Sequence, residues 1–405
     1  MSSASQARSG STPRNRIRRL AAVLLAPALL LGVSGCMTGI GPSAERPSPA
    51  ATEPSVEPSP SAEPDPAETA LATMTLEQKI ASLLILHTPG TDGAAQRAFI
   101  DRYGLGGVIL MGANIPGGTE ATDTAALAAM TATIRGDDEI PPFIGIDQEG
   151  GEVVRVGPDP APGADQLRGL PVEATEQAFQ ARSTMLADAG ISLNFGVVAD
   201  VSADPSSFIY GRSLGGDAAA SSARVAAAVT GEGDRVLSTI KHFPGHGAAP
   251  GDSHVGIPSS EMRYLDWTRQ EAPPFRAGID AGADFVMFGH LAFPAIDAQP
   301  ASLSSAWHHI LREQLGFTGL CISDDMRMLQ DSGDPRYADP VQNVIAAFAA
   351  GTSIVLYTLP ADPATIGVDI DAVIRGVADA VRSGHISAEQ IDADALAALR
   401  LRETA

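Results

Sequence analysis

Ser238-Thr-Ile-Lys-His-Phe-Pro-Gly-His-Gly-Ala-Ala-Pro-Gly-Asp-Ser-His254 begins as a strand and ends as a loop. Residues 238–242 are β-prone and finish on the ionisable pair Lys241-His242. Five glycines or prolines between 244 and 251 then forbid a continued regular element. The loop carries His246, Asp252 and His254, and polar chemistry crowded onto a loop is where function collects. A strand handing ionisable groups to a loop at its C-terminal end is the recurrent unit of a (β/α)8 barrel.

Working outward, similar apolar runs stand at 80–86, 107–111, 143–147, 193–200, 284–290, 320–324 and 352–358. Ala-rich amphipathic segments of helical length separate most of them, as at 123–135, 173–189 and 217–231. Eight strand-like runs alternating with helices predict a single-domain α/β (β/α)8 barrel. A doubly wound open sheet is the alternative, but no glycine-rich dinucleotide fingerprint follows the first run. Asp147, Lys241-His242, His290 and Asp324 each close a run, as expected where chemistry gathers at the mouth of a barrel.

Two further motifs bear on that mouth. In Asp147-Gln-Glu-Gly-Gly-Glu-Val-Val-Arg155, two glycines turn the chain after a carboxylate and an arginine returns. Acid and guanidinium can fork hydrogen bonds onto vicinal hydroxyls, or onto each other as a structural salt bridge. In Ser323-Asp-Asp325, Asp324 suits a nucleophile or electrostatic stabiliser, whereas Asp325 suits the cap of the segment that follows. The pair His242 and His246 has a metal-like spacing that depends on a helix, which Phe-Pro-Gly prevents. No nucleophile-elbow pattern surrounds Ser253. Asp252-Ser-His254 fits best as a carboxylate orienting an imidazole that shuttles a proton.

The chain of 405 residues has a formal charge of −21 and two cysteines. Residues 1–35 hold five arginines and no acid, so the rest is more acidic still, which argues against nucleic acid as a partner. Those arginines precede an apolar run, 20–32, too short and Pro-broken to span a membrane, and the segment reads as an export signal. It ends in Val33-Ser-Gly-Cys36, which resembles a bacterial lipobox with lipid attached to Cys36. Residues 36–68 read as a disordered Pro/Ser/Glu-rich tether able to span roughly 100 Å. The catalytic domain is placed at 69–405. Cys321, in an apolar run, has no expected disulfide partner.

Lys241-His-Phe-Pro-Gly-His-Gly with Asp252-Ser-His254, Asp147-Gln-Glu-Gly-Gly and Ile322-Ser-Asp-Asp325 together resemble glycoside hydrolase family 3. Its single-domain β-N-acetylglucosaminidase branch is the best match. Met74-Thr-Leu-Glu-Gln-Lys79, Asn194-Phe-Gly-Val-Val-Ala-Asp200, Gly211-Arg-Ser213 and Pro300-Ala-Ser-Leu-Ser304 extend the similarity. The resemblance implies that Asp324 is the nucleophile and His254 the general acid/base, supported by Asp252. It implies that Asp147, Arg155, Arg212, Lys241 and His242 hold the sugar in the −1 subsite, in a retaining mechanism without metal or organic cofactor. The implied substrate is a GlcNAc-terminated cell-wall glycan of the GlcNAc-MurNAc type. The expected enzyme is a monomer, exported and lipid-anchored at the outer face of the bacterial cytoplasmic membrane. A β-glucosidase or phosphorylase of the same fold, or a non-catalytic amino-sugar-binding lipoprotein, are the alternatives. Departures from the family pattern are Glu152 for the usual arginine, Ser353 where an aspartate is common, and Gly196 for alanine.

Overall fold

A computed structural model describes residues 65–405. The export signal, Cys36 and the tether up to residue 64 lie outside the described residues. Helix Pro66–Thr73 takes in the last three residues that composition assigns to the tether. Its start is chemically explicit: Asp65 accepts from the amides of Ala67 and Glu68, and a proline occupies the first turn. Arg400, on the C-terminal helix Ala388–Thr404, bonds both Asp65 and Glu68 at 2.6 Å and ties the two ends of the domain together.

Six parallel strands follow in order: β1 (Leu84–His87), β2 (Gly107–Leu110), β3 (Phe143–Ile146), β4 (Leu193–Val198), β5 (Leu237–Phe243) and β6 (Phe285–Phe288). A short antiparallel pair, β7 (Ala292–Phe293) and β8 (Asp297–Pro300), interrupts the alternation before β9 (Leu320–Ser323) and β10 (Val355–Thr358) complete the sheet. β10 pairs with β1 in register Leu84↔Val355, and Ile322 bridges Ile354 on the other side. The sheet therefore closes on itself, as expected of a (β/α)8 barrel and not of an open doubly wound sheet.

The helices at Thr124–Arg135, Val172–Asp188 and Ala218–Glu232 lie within a residue of their predicted spans. The first strand does not. Residues 80–81 end the helix Leu76–Ala81, which a capping box between Thr75 and Gln78 starts. An apolar run alone does not reveal that boundary, so β1 begins at Leu84 instead of 80. Cys321 on β9 is free and fully buried, and burial pushes its thiol up to about 12. It is thus an inert core side chain.

Candidate active site

β3, β5 and β9 present charge at one end of the barrel, around a cavity of about 630 Å³. Ile109, Met287 and Leu356 contribute its apolar surface. Asp147, Arg155, Arg212, Lys241, His242, His254 and Asp324 all line it. Asp252 does not, but it touches the wall through His254.

Lys241, inside β5, has its Nζ 2.8 Å from Asp147 Oδ1 and 2.6 Å from Glu149 Oε1. Glu149 also takes Arg212 in a fork, at 2.8 Å from Nε and 2.7 Å from the terminal nitrogen. Burial alone would raise the Glu149 carboxyl, but Lys241 and Arg212 outweigh it and hold the group far below its usual range. Arg155 stands 3.9 Å from Asp147, so this acid–guanidinium pair faces itself loosely across the cavity wall. The outcome is a frame of fixed donors and acceptors on the cavity wall.

His242, also within β5, points Nδ1 at Asp200 Oδ2, 2.7 Å away, which leaves Nε2 toward the cavity and 3.4 Å from Arg212. Asp200 follows β4 and also accepts from the backbone amide of His246, at 2.6 Å. It is wholly buried, yet its pairing with His242 overrides the desolvation cost and keeps it ionised. The peptide bonds Lys241–His242 and Phe243–Pro244 are both cis.

Asp324 leaves the end of β9 with its amide bonded to Phe288 O at 2.8 Å. Burial would raise its carboxyl, but the surrounding His242, His290 and Lys241, with a hydrogen bond from the Asp325 amide, hold it below its ordinary value. It is therefore an anion at neutral pH. Asp325 accepts from the amides of Arg327 and Thr358, and so clamps the start of helix Arg327–Asp331 onto β10. His290 does not reach the cavity wall. Its Nδ1 lies 2.7 Å from Ser302 Oγ and its Nε2 3.0 Å from Asp325 O, so it steadies the backbone beside Asp324.

On the loop, His254 Nδ1 is 2.7 Å from Asp252 Oδ1, and the His254 amide donates to the same oxygen at 2.9 Å. Nδ1 is thereby occupied and Nε2 left free for a proton transfer. Partial burial of Asp252 is outweighed by these bonds, which hold its carboxyl below its ordinary value. The loop is pinned by Ser253 Oγ, 3.1 Å from His246 Nε2, and by Phe208, whose ring meets the rings of His246 and His254.

Glu149, Asp200 and Phe208 carry much of this arrangement without having been assigned roles from the sequence. Asp200 had a usable signal, since it closes a β-run as Asp147 and Asp324 do. Phe208 had none, because its ring contacts with His246 and His254 join residues 38 and 46 positions apart.

A closed (β/α)8 barrel with an anionic Asp324, a frame of paired cations and carboxylates and His254 around one cavity defines the class: a barrel enzyme with its ionisable groups gathered at the barrel mouth. Residues 75–401 match the glycosyl hydrolase family 3 N-terminal domain, and the chain belongs to that family of glycoside hydrolases. A β-hexosaminidase of Thiobacillus denitrificans is 35% identical over 263 residues, which cover 62% of this chain and 71% of the relative. A family 3 β-N-acetylglucosaminidase from a Paenibacillus species superposes with a TM-score of 0.73 at 30% identity, over 82% of this chain and 62% of that longer one. A β-N-acetylhexosaminidase from Beutenbergia cavernae superposes with a TM-score of 0.68 at 26% identity, over 82% of this chain and all of the other.

Proposed function

We propose that this chain is a retaining, exo-acting β-N-acetylglucosaminidase that removes terminal GlcNAc from cell-wall glycans. The observation carrying this reading is that Asp324 and the Asp252–His254 pair line or border one cavity, with a polar frame of Lys241, Arg212, Arg155, Asp147 and His242 beside them. Relatives and structural neighbours named β-hexosaminidase and β-N-acetylglucosaminidase support the choice of sugar.

In the first step the Asp324 carboxylate attacks the anomeric carbon while His254, through Nε2, gives its proton to the departing glycosidic oxygen. In the second, the neutral imidazole takes a proton from water, whose oxygen displaces Asp324 from the same carbon. Asp252 holds the ring's tautomer and stabilises the imidazolium. Transfer to phosphate instead of water finds no support, because every lysine and arginine lining the cavity lies within 4 Å of a carboxylate. At the level of the cell, the proposal places the enzyme as a monomer at the outer envelope surface, held by lipid on Cys36.

The test is trapping. A fluorinated N-acetylglucosaminyl donor with an activated leaving group, incubated with the full chain, is expected to label the peptide containing Asp324, and normal turnover is expected to yield the β-anomer first. Label on another residue, or first release of the α-anomer, would overturn the assignment.

A further inference from the structure

Glu152 sits in the glycine turn after β3 and borders two hollows at once. It lines the active-site cavity and also a more open groove of about 600 Å³ beside it. Its side chain folds against Gly211, where an added Cβ would come within 1.9 Å of Glu152 Oε1. Only glycine at 211 leaves room for this placement, and residue 211 immediately precedes the sugar-frame Arg212. Glu152 is thus a solvent-exposed carboxylate standing between the active-site cavity and the neighbouring groove.

The charge balance there is one-sided. Lys241, Arg212 and Arg155 already face Asp147 or Glu149, and Arg327 faces Asp331 at 3.0 Å. In the groove, Asp159 is neutralised by Arg182 at 2.9 Å. Glu152 has no hydrogen bond or ion pair among the described residues, and no lysine, arginine or histidine lines the groove. Glu152, with Glu120 on the same groove, therefore leaves this flank of the cavity lined by carboxylates that no cation among the described residues offsets.

Resting on the β-N-acetylglucosaminidase reading, we infer that Glu152 is a specificity-determining residue that selects the aglycone by charge. Sugars bearing an ammonium group are favoured, neutral or amide-capped sugars follow, and sugars with a free carboxylate are disfavoured. Among cell-wall fragments this favours muramic residues whose lactyl group is capped as an amide over the free acid. For charges facing each other near solvent, the steps in kcat/KM are expected to be about three- to tenfold and to shrink as salt rises.

The test uses the full chain with three disaccharides in which GlcNAc is β-linked to glucosamine, to N-acetylglucosamine or to N-acetylmuramic acid with its lactyl carboxylate free. A neutral aryl β-N-acetylglucosaminide is measured alongside. The parent is expected to rank them ammonium, neutral, carboxylate at low salt. Glu152→Gln should narrow that ranking, since Glu120 alone then remains on the groove, and Glu152→Arg should invert it. The isosteric glutamine keeps the test open if the larger arginine disturbs folding against Gly211. Turnover of the aryl glycoside with a ranking that is unmoved by Glu152→Gln, or insensitive to salt, overturns the role of Glu152 alone. Failure of the parent on all four substrates overturns the underlying reading as well.

Discussion

At the scale of single residues, the distinctive element of the proposed mechanism is an imidazole where most glycosidases use a second carboxyl group. The choice makes a kinetic prediction. His254 is needed as an acid only when the leaving oxygen is a poor leaving group, but as a base in every second step. His254→Ala should therefore lose about 10²- to 10⁴-fold on a disaccharide, the range expected for one general acid/base. On an activated phenyl glycoside the first step should survive and the second lag, so glycosyl-enzyme accumulates and a burst of phenol precedes the steady state. Stopped-flow measurement of that burst is the check. Equal losses on both substrates without a burst would mean that His254 acts only by positioning. In the proposed mechanism Asp324 would need no deprotonation before attack, because His242, His290 and Lys241 together overcome its desolvation.

At the scale of elements, the loop bearing Asp252 and His254 rests on a base with its own titration. Glu271 joins helices Tyr264–Gln270 and Ala272–Asp280, and a Cβ on Gly245 would lie 2.5 Å from its Oε2. Gly245 has φ of +125°, a conformation that glycine adopts readily, so the loop turns directly over this carboxyl. Burial, reinforced by the negative charge of Asp200, pushes Glu271 from 4.5 to about 8. The folded protein thus binds this proton more tightly than the unfolded chain does. The contribution is fully present below pH 4.5 and is lost as pH rises toward 8. At about 1.4 kcal/mol for each tenfold difference in proton affinity, the loss is at most a few kcal/mol. Glu271→Gln, which keeps the shape and cannot ionise, should flatten the fall in stability between those limits and leave the mutant the more stable of the two at pH 8.5. Urea unfolding across the range reads this directly, and parallel profiles for parent and variant would rule out Glu271 as the source. Nothing in the local sequence marks Glu271. Its perturbation comes from burial in the folded chain and from Asp200, distant along the sequence.

At the scale of the whole molecule, what was legible in the sequence is what repeats locally. The apolar runs that end in Asp147, Lys241-His242 and Asp324 named three strands and their polar ends together, because a barrel strand delivers its last residues to a shared mouth. The pairing of Lys241 with Glu149 and of His242 with Asp200 was not legible, since each joins residues more than 40 positions apart. The boundary of the domain was blurred for a different reason. Pro66, Ala67 and Glu68 have the composition of the preceding tether but form a helix because Asp65 caps it and Arg400 holds it. Since that helix and the closed barrel belong to one compact unit, 65–405, the chemistry should not depend on what precedes it. The proposed lipid on Cys36 therefore makes a separable prediction. In cells fed a radiolabelled fatty acid, the parent should carry label and sediment with membranes. Cys36→Ala should carry none and move to the soluble fraction, with kcat/KM on an aryl β-N-acetylglucosaminide within about twofold of the parent, as expected for independent sites. A labelled Cys36→Ala protein would place the lipid elsewhere. An unlabelled one that still sediments would show that another contact holds the enzyme at the envelope, and the lipid at Cys36 would no longer account for its location.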